Sequence, residues 1–355
     1  MRRQGAVADP VITPEADVGL EASQVLGARP SRRQSKWVTI GSYVVTVFLL
    51  ITFNFALPRL MPGDPIDAMM ALSATTVLND DTRGALEQYY NLDVPLPRQY
   101  LSYLTGLGRG DLGVSIVSNR PVTEELGKRV GWSLLLLLSA SAIAMLIGIP
   151  LGIHSGWKRG KGVDRSLLGF FLAVQNLPIF ILGSVVFILF IAKWDLFPYG
   201  SATTPLSDYH GLSEVADIIR HLALPALLMS FDFVTYEYLV MRSAMVGELG
   251  SDYLLGGRAK GLSERHLKYR YAGRNALLPV VTVIGLQFSL AIGAGLIIIE
   301  GIFSYPGVGG YMLGAVGTRD YPAMQGAFLV LTVGVVTTNL VVDLLYHRLD
   351  PRVAT

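Results

Sequence analysis

Two acidic side chains stand where acid is costly. Asp232 and Glu237 interrupt the otherwise apolar run Leu222–Met241. A central Asp disfavours membrane insertion by about 2.5–3.5 kcal/mol and each Leu offsets about 0.5, so the run's five leucines cancel roughly one such residue. A helix of this composition must face protein or water rather than lipid. The two acids are five residues apart, about 140° around a helix, so they do not make one paired site. Lining a lumen or hydrogen bonding in the interior is the expected role, and a proton or cation site is the rival. Gln287 and Asn339, polar groups inside other apolar runs, are further pathway candidates.

A second chemistry is mechanical. Residues 251–267 read Ser251-Asp252-Tyr253-Leu254-Leu255-Gly256-Gly257-Arg258-Ala259-Lys260-Gly261-Leu262-Ser263-Glu264-Arg265-His266-Leu267. The pattern is partly helical, yet each interior Gly disfavours an exposed helix by about 0.8–1 kcal/mol against Ala. Such a stretch makes sense when another protein packs against a face of small residues. Gly257 and Gly261, four apart, are expected to share that face. Leu262-Ser263-Glu264 predicts a turn into a second helix, with Ser263 as N-cap and Glu264 in the first turn.

Bond-breaking chemistry is missing. The run Gly156–Gly162 has the wrong spacing for a phosphate-cradling GxxxxGK[ST] loop and lacks its Ser/Thr. No GxSxG or HExxH occurs. There is no cysteine, which excludes disulfides, thiolate metal sites and a catalytic thiol. The five histidines, at 154, 210, 221, 266 and 347, form no HxxxH pair. A net charge of +2 over 355 residues carries no nucleic-acid footprint.

The elements that position these residues follow from composition. Hydrophobic residues are 51% and charged residues 16%, against roughly 25% charged in soluble domains, and mean hydropathy is +0.46. About 20 apolar residues cross a bilayer as a helix. Val38–Leu57, Val130–Ile153, Ser166–Ala192, Asn275–Ile299 and Ala323–Val342 are charge-free at that length, and Leu222–Met241 is the sixth span. Lys and Arg set the orientation. Nineteen lie in the tail, 154–165, 242–274 and the stretch after 342, against three on the other side once the long 58–129 loop is set aside. The reading is therefore an all-α polytopic membrane protein with both termini cytoplasmic. Residues 1–36 form a disordered cytoplasmic tail, 37–57 the first transmembrane helix and 58–129 an extracytoplasmic loop subdomain. Residues 130–347 form the membrane core, and 348–355 a cytoplasmic tail. Pro97 predicts the first turn of a helix that runs through Leu101, Leu104 and Leu107. Gly148, Gly152, Gly156 and Gly160 recur every four residues, a spacing that lets helix backbones approach. The last two are expected beyond the membrane, leaving a single GxxxG contact.

The chain resembles the membrane-spanning permease subunits of bacterial ABC importers, closest to the B-type dipeptide/oligopeptide/nickel permeases. In the 58–129 loop the likeness rests on Pro62-Gly63-Asp64-Pro65, Asn91–Leu96, Gln99-Tyr100, Gly110–Ser115 and Pro121-Val122. In 242–274 it rests on Asp252-Tyr253 and Arg258–Glu264, followed by Arg274–Pro279. Glu300, Phe303, Pro306–Gly309, Arg319–Pro322, Gln325-Gly326, Asn339, Asp343, Tyr346 and Asp350-Pro351-Arg352 complete it. The resemblance implies the type I importer permease fold in the plasma (inner) membrane and a non-catalytic role in peptide import. It implies a coupling helix at about 251–267 that binds an ATPase through Gly257, Arg258, Ala259, Lys260, Gly261, Leu262, Ser263 and Glu264. The implied partners are a second homologous permease, two ATP-binding subunits and an extracytoplasmic substrate-binding protein. The chain itself would bind no cofactor, with ATP and Mg on the partner subunits. A stand-alone secondary transporter or channel, using Asp232 or Glu237 as its ion site, is the alternative.

Overall fold

The computed structural model describes residues 36–61, 65–66, 80–90 and 92–349. The tail expected at 1–36 lies outside the described residues except for Lys36. So do Pro62-Gly63-Asp64, Asn91 and 350–355. Among the described residues the regular structure is helical, apart from one isolated antiparallel bridge between Val114 and Pro121. Residues 1–52 and 53–355 form separate compact units. The described part of the first is the helical run beginning at Lys36, within α1 (Lys36–Leu60). All that follows concerns the second.

The loop subdomain holds α2 (Asp80–Tyr89) and α3 (Leu96–Leu107). Pro95 caps α3 and Pro97 sits in its first turn, as the sequence predicts. Arg59 donates to Gln99 Oε1 (2.7 Å) and to the Phe55 carbonyl (2.9 Å). Asn54 donates to the Gln325 carbonyl (2.8 Å). These bonds tie the end of α1 to the subdomain and to the start of the last helix.

Among the described residues, four helices are long and apolar enough to span a membrane. They are α4 (Val122–Trp157), α7 (Leu212–Glu248), the continuous run Glu264–Phe303 and the first 22 residues of α13 (Tyr321–Leu349). The run Glu264–Phe303 joins α9 (Glu264–His266), α10 (Gly273–Leu290) and α11 (Leu296–Phe303) through π-helical turns at Leu267–Ala272 and Ala291–Gly295. The third span is not one rod. α5 (Gly162–Gln175) and the run Ile179–Lys193, which begins with α6 (Ile179–Phe187), meet at 91°. Pro178 has no N–H to donate and pushes Leu177 out of the helical region. A count of apolar residues passes over such a break.

α4 and α7 make the most intimate pairing. A Cβ added at Gly152 would lie 2.6 Å from the Met241 Cβ, and one at Gly156 would lie 2.5 Å from the Met245 Cβ. Gly148 abuts Val234 and Glu237 in the same seam. Three glycines therefore form the contact, where a single GxxxG was expected, because both helices continue as far as Trp157 and Glu248. Gly160 lies outside the seam, in a turn at φ +76°. The main apolar core joins α4, α7, α11, α13 and α12 (Val308–Thr318). A smaller core gathers Ile153, Met241, Met245, Leu254, Leu267 and Ala276 at the other end of the bundle.

Candidate docking surface and pathway residues

α8 (Asp252–Ala259) follows α7 after a three-residue turn. Leu254 and Gly257 are its buried residues, and both face the smaller core. A Cβ on Gly257 would come within 2.5 Å of Leu267 Cδ2. The Gly257 face is thus filled by the chain itself. The opposite face is open: Leu255 is 68% exposed, and nothing lies within 4 Å of a Cβ built on Gly256. Arg258, Ala259 and Lys260 are exposed beside them. Tyr253 donates its hydroxyl to Glu248, and burial pushes the tyrosine pKa up.

The expectation that Gly257 and Gly261 share a helical face is corrected. Gly261 stands past the helix end at φ +74°. Its N–H reaches the Arg258 carbonyl (2.9 Å), and the Leu262 N–H reaches that of Gly257 (3.1 Å). A left-handed residue after the last turn is the usual helix stop, and glycine adopts it without a Cβ clash. Ser263 then caps the next helix, its hydroxyl accepting from the His266 N–H (3.4 Å), with Glu264 in the first turn. Arg258 spans the turn to Glu264 (3.1 Å). Beyond it, Lys268 donates to His154 Nδ1 (2.9 Å). His266, Arg270, Tyr271, Arg274 and Asn275 line an open cleft of about 370 Å³.

Under this surface lies a polar cluster that sequence reasoning missed. Arg242 grips Asp164 with two bonds, Nε to Oδ1 at 2.6 Å and Nη2 to Oδ2 at 2.8 Å. Ser155 donates to Asp164 Oδ1 (2.6 Å), the Gly160 N–H donates to Oδ2 (2.8 Å), and Ser155 shares a hydrogen bond with the Tyr238 hydroxyl (2.8 Å). Asp164 and Arg242 are 78 residues apart, so no local spacing announces them.

The pathway candidates part company. Asp232 is exposed and Glu237 is fully buried. Both Glu237 oxygens lack a hydrogen-bond partner among the described residues. Gln287 donates to the Phe233 carbonyl (3.2 Å), leaving its own oxygen unpaired. Asn339 accepts from Ser289 (2.6 Å), which links α13 to α10.

At the opposite end two more buried acids do structural work. Glu300 accepts from the Ser133 hydroxyl (2.6 Å) and from the Gly310 N–H (2.9 Å), and Ser133 in turn accepts from the Val308 N–H (2.8 Å). These bonds satisfy first-turn amides of α12, where negative charge is favoured. A Cβ on Gly309 would strike the backbone of Ile297 at 2.6 Å, so the turn admits only glycine there. Asp320 does the same for α13, accepting from the Ala323 N–H, the Val117 N–H and the Ser115 hydroxyl. The sequence signal for both acids was their place beside Pro-Gly and Tyr-Pro turns.

The model for binding-protein-dependent transport system inner membrane components matches residues 148–355. A provisionally named peptide permease of Brucella suis biovar 1 is 38% identical over 300 residues, covering 84% of this chain and 92% of its own. The dipeptide transport system permease protein DppB of Escherichia coli K12 is 35% identical over 328 residues, covering 87% and 96%. The glutathione transport system permease protein GsiC of Pectobacterium atrosepticum is 33% identical over 312 residues, covering 87% and 95%. Apolar spanning helices, a glycine-seamed pair and near full-length likeness to such proteins agree: the chain belongs to the family of inner membrane components of binding-protein-dependent transport systems.

Proposed function

We propose that this chain is the permease subunit of an ATP-driven importer of peptides. It forms half of a translocation pathway with a second homologous permease. Two ATP-binding subunits, carrying ATP and Mg, power it, and an extracytoplasmic binding protein delivers the cargo. Both termini and the 251–267 stretch face the cytoplasm. α8 is the coupling helix, and it meets an ATPase through Leu255, Gly256, Arg258, Ala259 and Lys260, with Gly261 to Glu264 setting the turn beside them. ATP binding closes the ATPases, the docked helix moves, and the bundle opens outward to receive cargo. Hydrolysis resets it. The chain supplies pathway and lever and breaks no bond itself.

Peptide cargo is supported by the names of relatives that align over most of their length. Docking is carried by one observation: the open face of α8 projects a Leu that is 68% exposed, beside a Gly with free space above it. A partner packed on this face would cover the Leu and offset the helix propensity that the two glycines cost. The test is co-purification. Leu255→Asp should abolish recovery of the ATPase subunits and peptide uptake, while the permease still inserts. Lys260→Ala, a rim charge, should change recovery by less than about 1 kcal/mol in affinity. Full ATPase recovery with Leu255→Asp would overturn the docking assignment.

A further inference from the structure

α5 buries little surface for its length: of its 14 residues only Asp164 and Phe171 are buried. Asp164 meets α4 and α7, and Phe171 meets α7. Asp164 binds Ser155 of α4 and Arg242 of α7. Phe171 stacks on Tyr238 of α7, ring centroids 4.3 Å apart, and the Tyr238 hydroxyl closes back on Ser155. Both ends of α5 are bends. Gly160, at φ +76°, precedes it, and the 91° break at residues 176–178 follows it. Arg242 lies one helical turn before Met245, which packs in the small core with Leu254 of α8. A continuous chain of contacts therefore runs from α8 through Leu254 and Met245 along α7 to Arg242, then across the ion pair to Asp164 and α5.

We propose that Arg242 and Asp164 are positioning residues that carry the displacement of α8 to α5, and so to the break at 176–178 and the rest of the third span. This rests on α8 being the docking helix. The pair is suited to the task. Its bidentate geometry fixes direction as well as distance. Asp164 is 2% exposed on its side chain, so salt and water do not loosen the contact. With the pair intact, α4, α5 and α7 move together. With it broken, α5 keeps only apolar contacts, those of Leu167, Phe170 and Phe171, between two bends, and motion of α8 is dissipated before it reaches the rest of the third span.

The experiment uses the full complex in proteoliposomes, with ATPases, binding protein and a dipeptide, and reads peptide taken up per ATP hydrolysed. Asp164→Asn, which keeps shape but not charge, should lower that ratio about tenfold, with ATP hydrolysis and ATPase recovery within about twofold of the parent. Arg242→Lys, which keeps charge but not the bidentate grip, should fall between them. The chain has no cysteine of its own, so Asp164→Cys with Arg242→Cys can be bridged by a short bifunctional thiol reagent. Bridging should restore the ratio and reduction should abolish it again. An unchanged ratio in both single variants, or a bridged protein that stays uncoupled, would overturn the proposal. Absence of ATPase from the parent complex would strike the docking assignment instead. If Asp164→Asn fails to insert, Arg242→Lys and the bridged pair carry the same comparison.

Discussion

The two ends of the bundle bury carboxylates by different means. At the subdomain end, Glu300 and Asp320 have no cationic partner within ion-pair distance among the described residues, and backbone N–H groups and serine hydroxyls satisfy them. At the end bearing 242–274, Asp164 is neutralised by Arg242 and then hydrogen bonded as well. Both solutions reach across the chain, the first from Glu300 to Ser133 and from Asp320 to Ser115, but the first uses neutral donors and fixes helix starts. The second joins helices through an ion pair. Neutral caps suit an end that must hold its shape, and a charged pair with fixed direction suits an end where separate helices must act together.

Substitutions that remove one partner should separate the two designs. Asp164→Ala leaves a partly buried guanidinium without its anion and should destabilise the protein most, by about 3 kcal/mol. Denaturant unfolding in detergent would measure it, and a loss no larger than that of Glu300→Ala would erase the distinction drawn here. Glu300→Ala leaves neutral donors unpaired at the start of α12 and should lose about 2 kcal/mol. Glu300→Gln, which keeps an acceptor, should recover part of that loss in the same assay. Gly261→Ala forces a Cβ into left-handed backbone, an expected loss of about 1 kcal/mol. Because its surroundings are open, the loss should appear in unfolding and not in ATPase recovery. The smallest effect has the opposite sign. Glu237→Met replaces a buried, unpartnered carboxyl with an apolar side chain and should stabilise by about 1 kcal/mol. A destabilised Glu237→Met would mean that the buried carboxyl is hydrogen bonded within the folded protein.

The sequence discloses what periodicity and composition encode. The spanning helices, the α3 start at Pro95–Pro97 and the Ser263 cap all follow from local residue types. Gly261 was legible too, since a glycine just past Arg258-Ala259-Lys260 is a stop signal, but four-residue spacing from Gly257 suggested a shared face. The break at Pro178 was hidden because hydropathy averages over a proline in an apolar run. The Asp164–Arg242 pair was beyond reach. Its acid looks like one more polar residue in a short basic loop, and only the folding of α4 against α7 brings the arginine to it. Glu300 and Gly307–Gly309 were recognisable as a pattern, but their reason is steric and electrostatic, and it needed the closed turn to show.

The glycine seam has a bearing on how motion in this molecule is to be watched. With no side chains between them at Gly148, Gly152 and Gly156, α4 and α7 touch backbone to side-chain base along three turns. A joint of that kind has no slack to take up, because any change of separation opens a void or closes a clash. The pair is therefore a single girder, and a spectroscopic ruler laid between its two helices should return one constant length through the transport cycle. A ruler laid from that girder to Val185 on α6, exposed beyond the 91° break, spans the part of the machine free to change its reading.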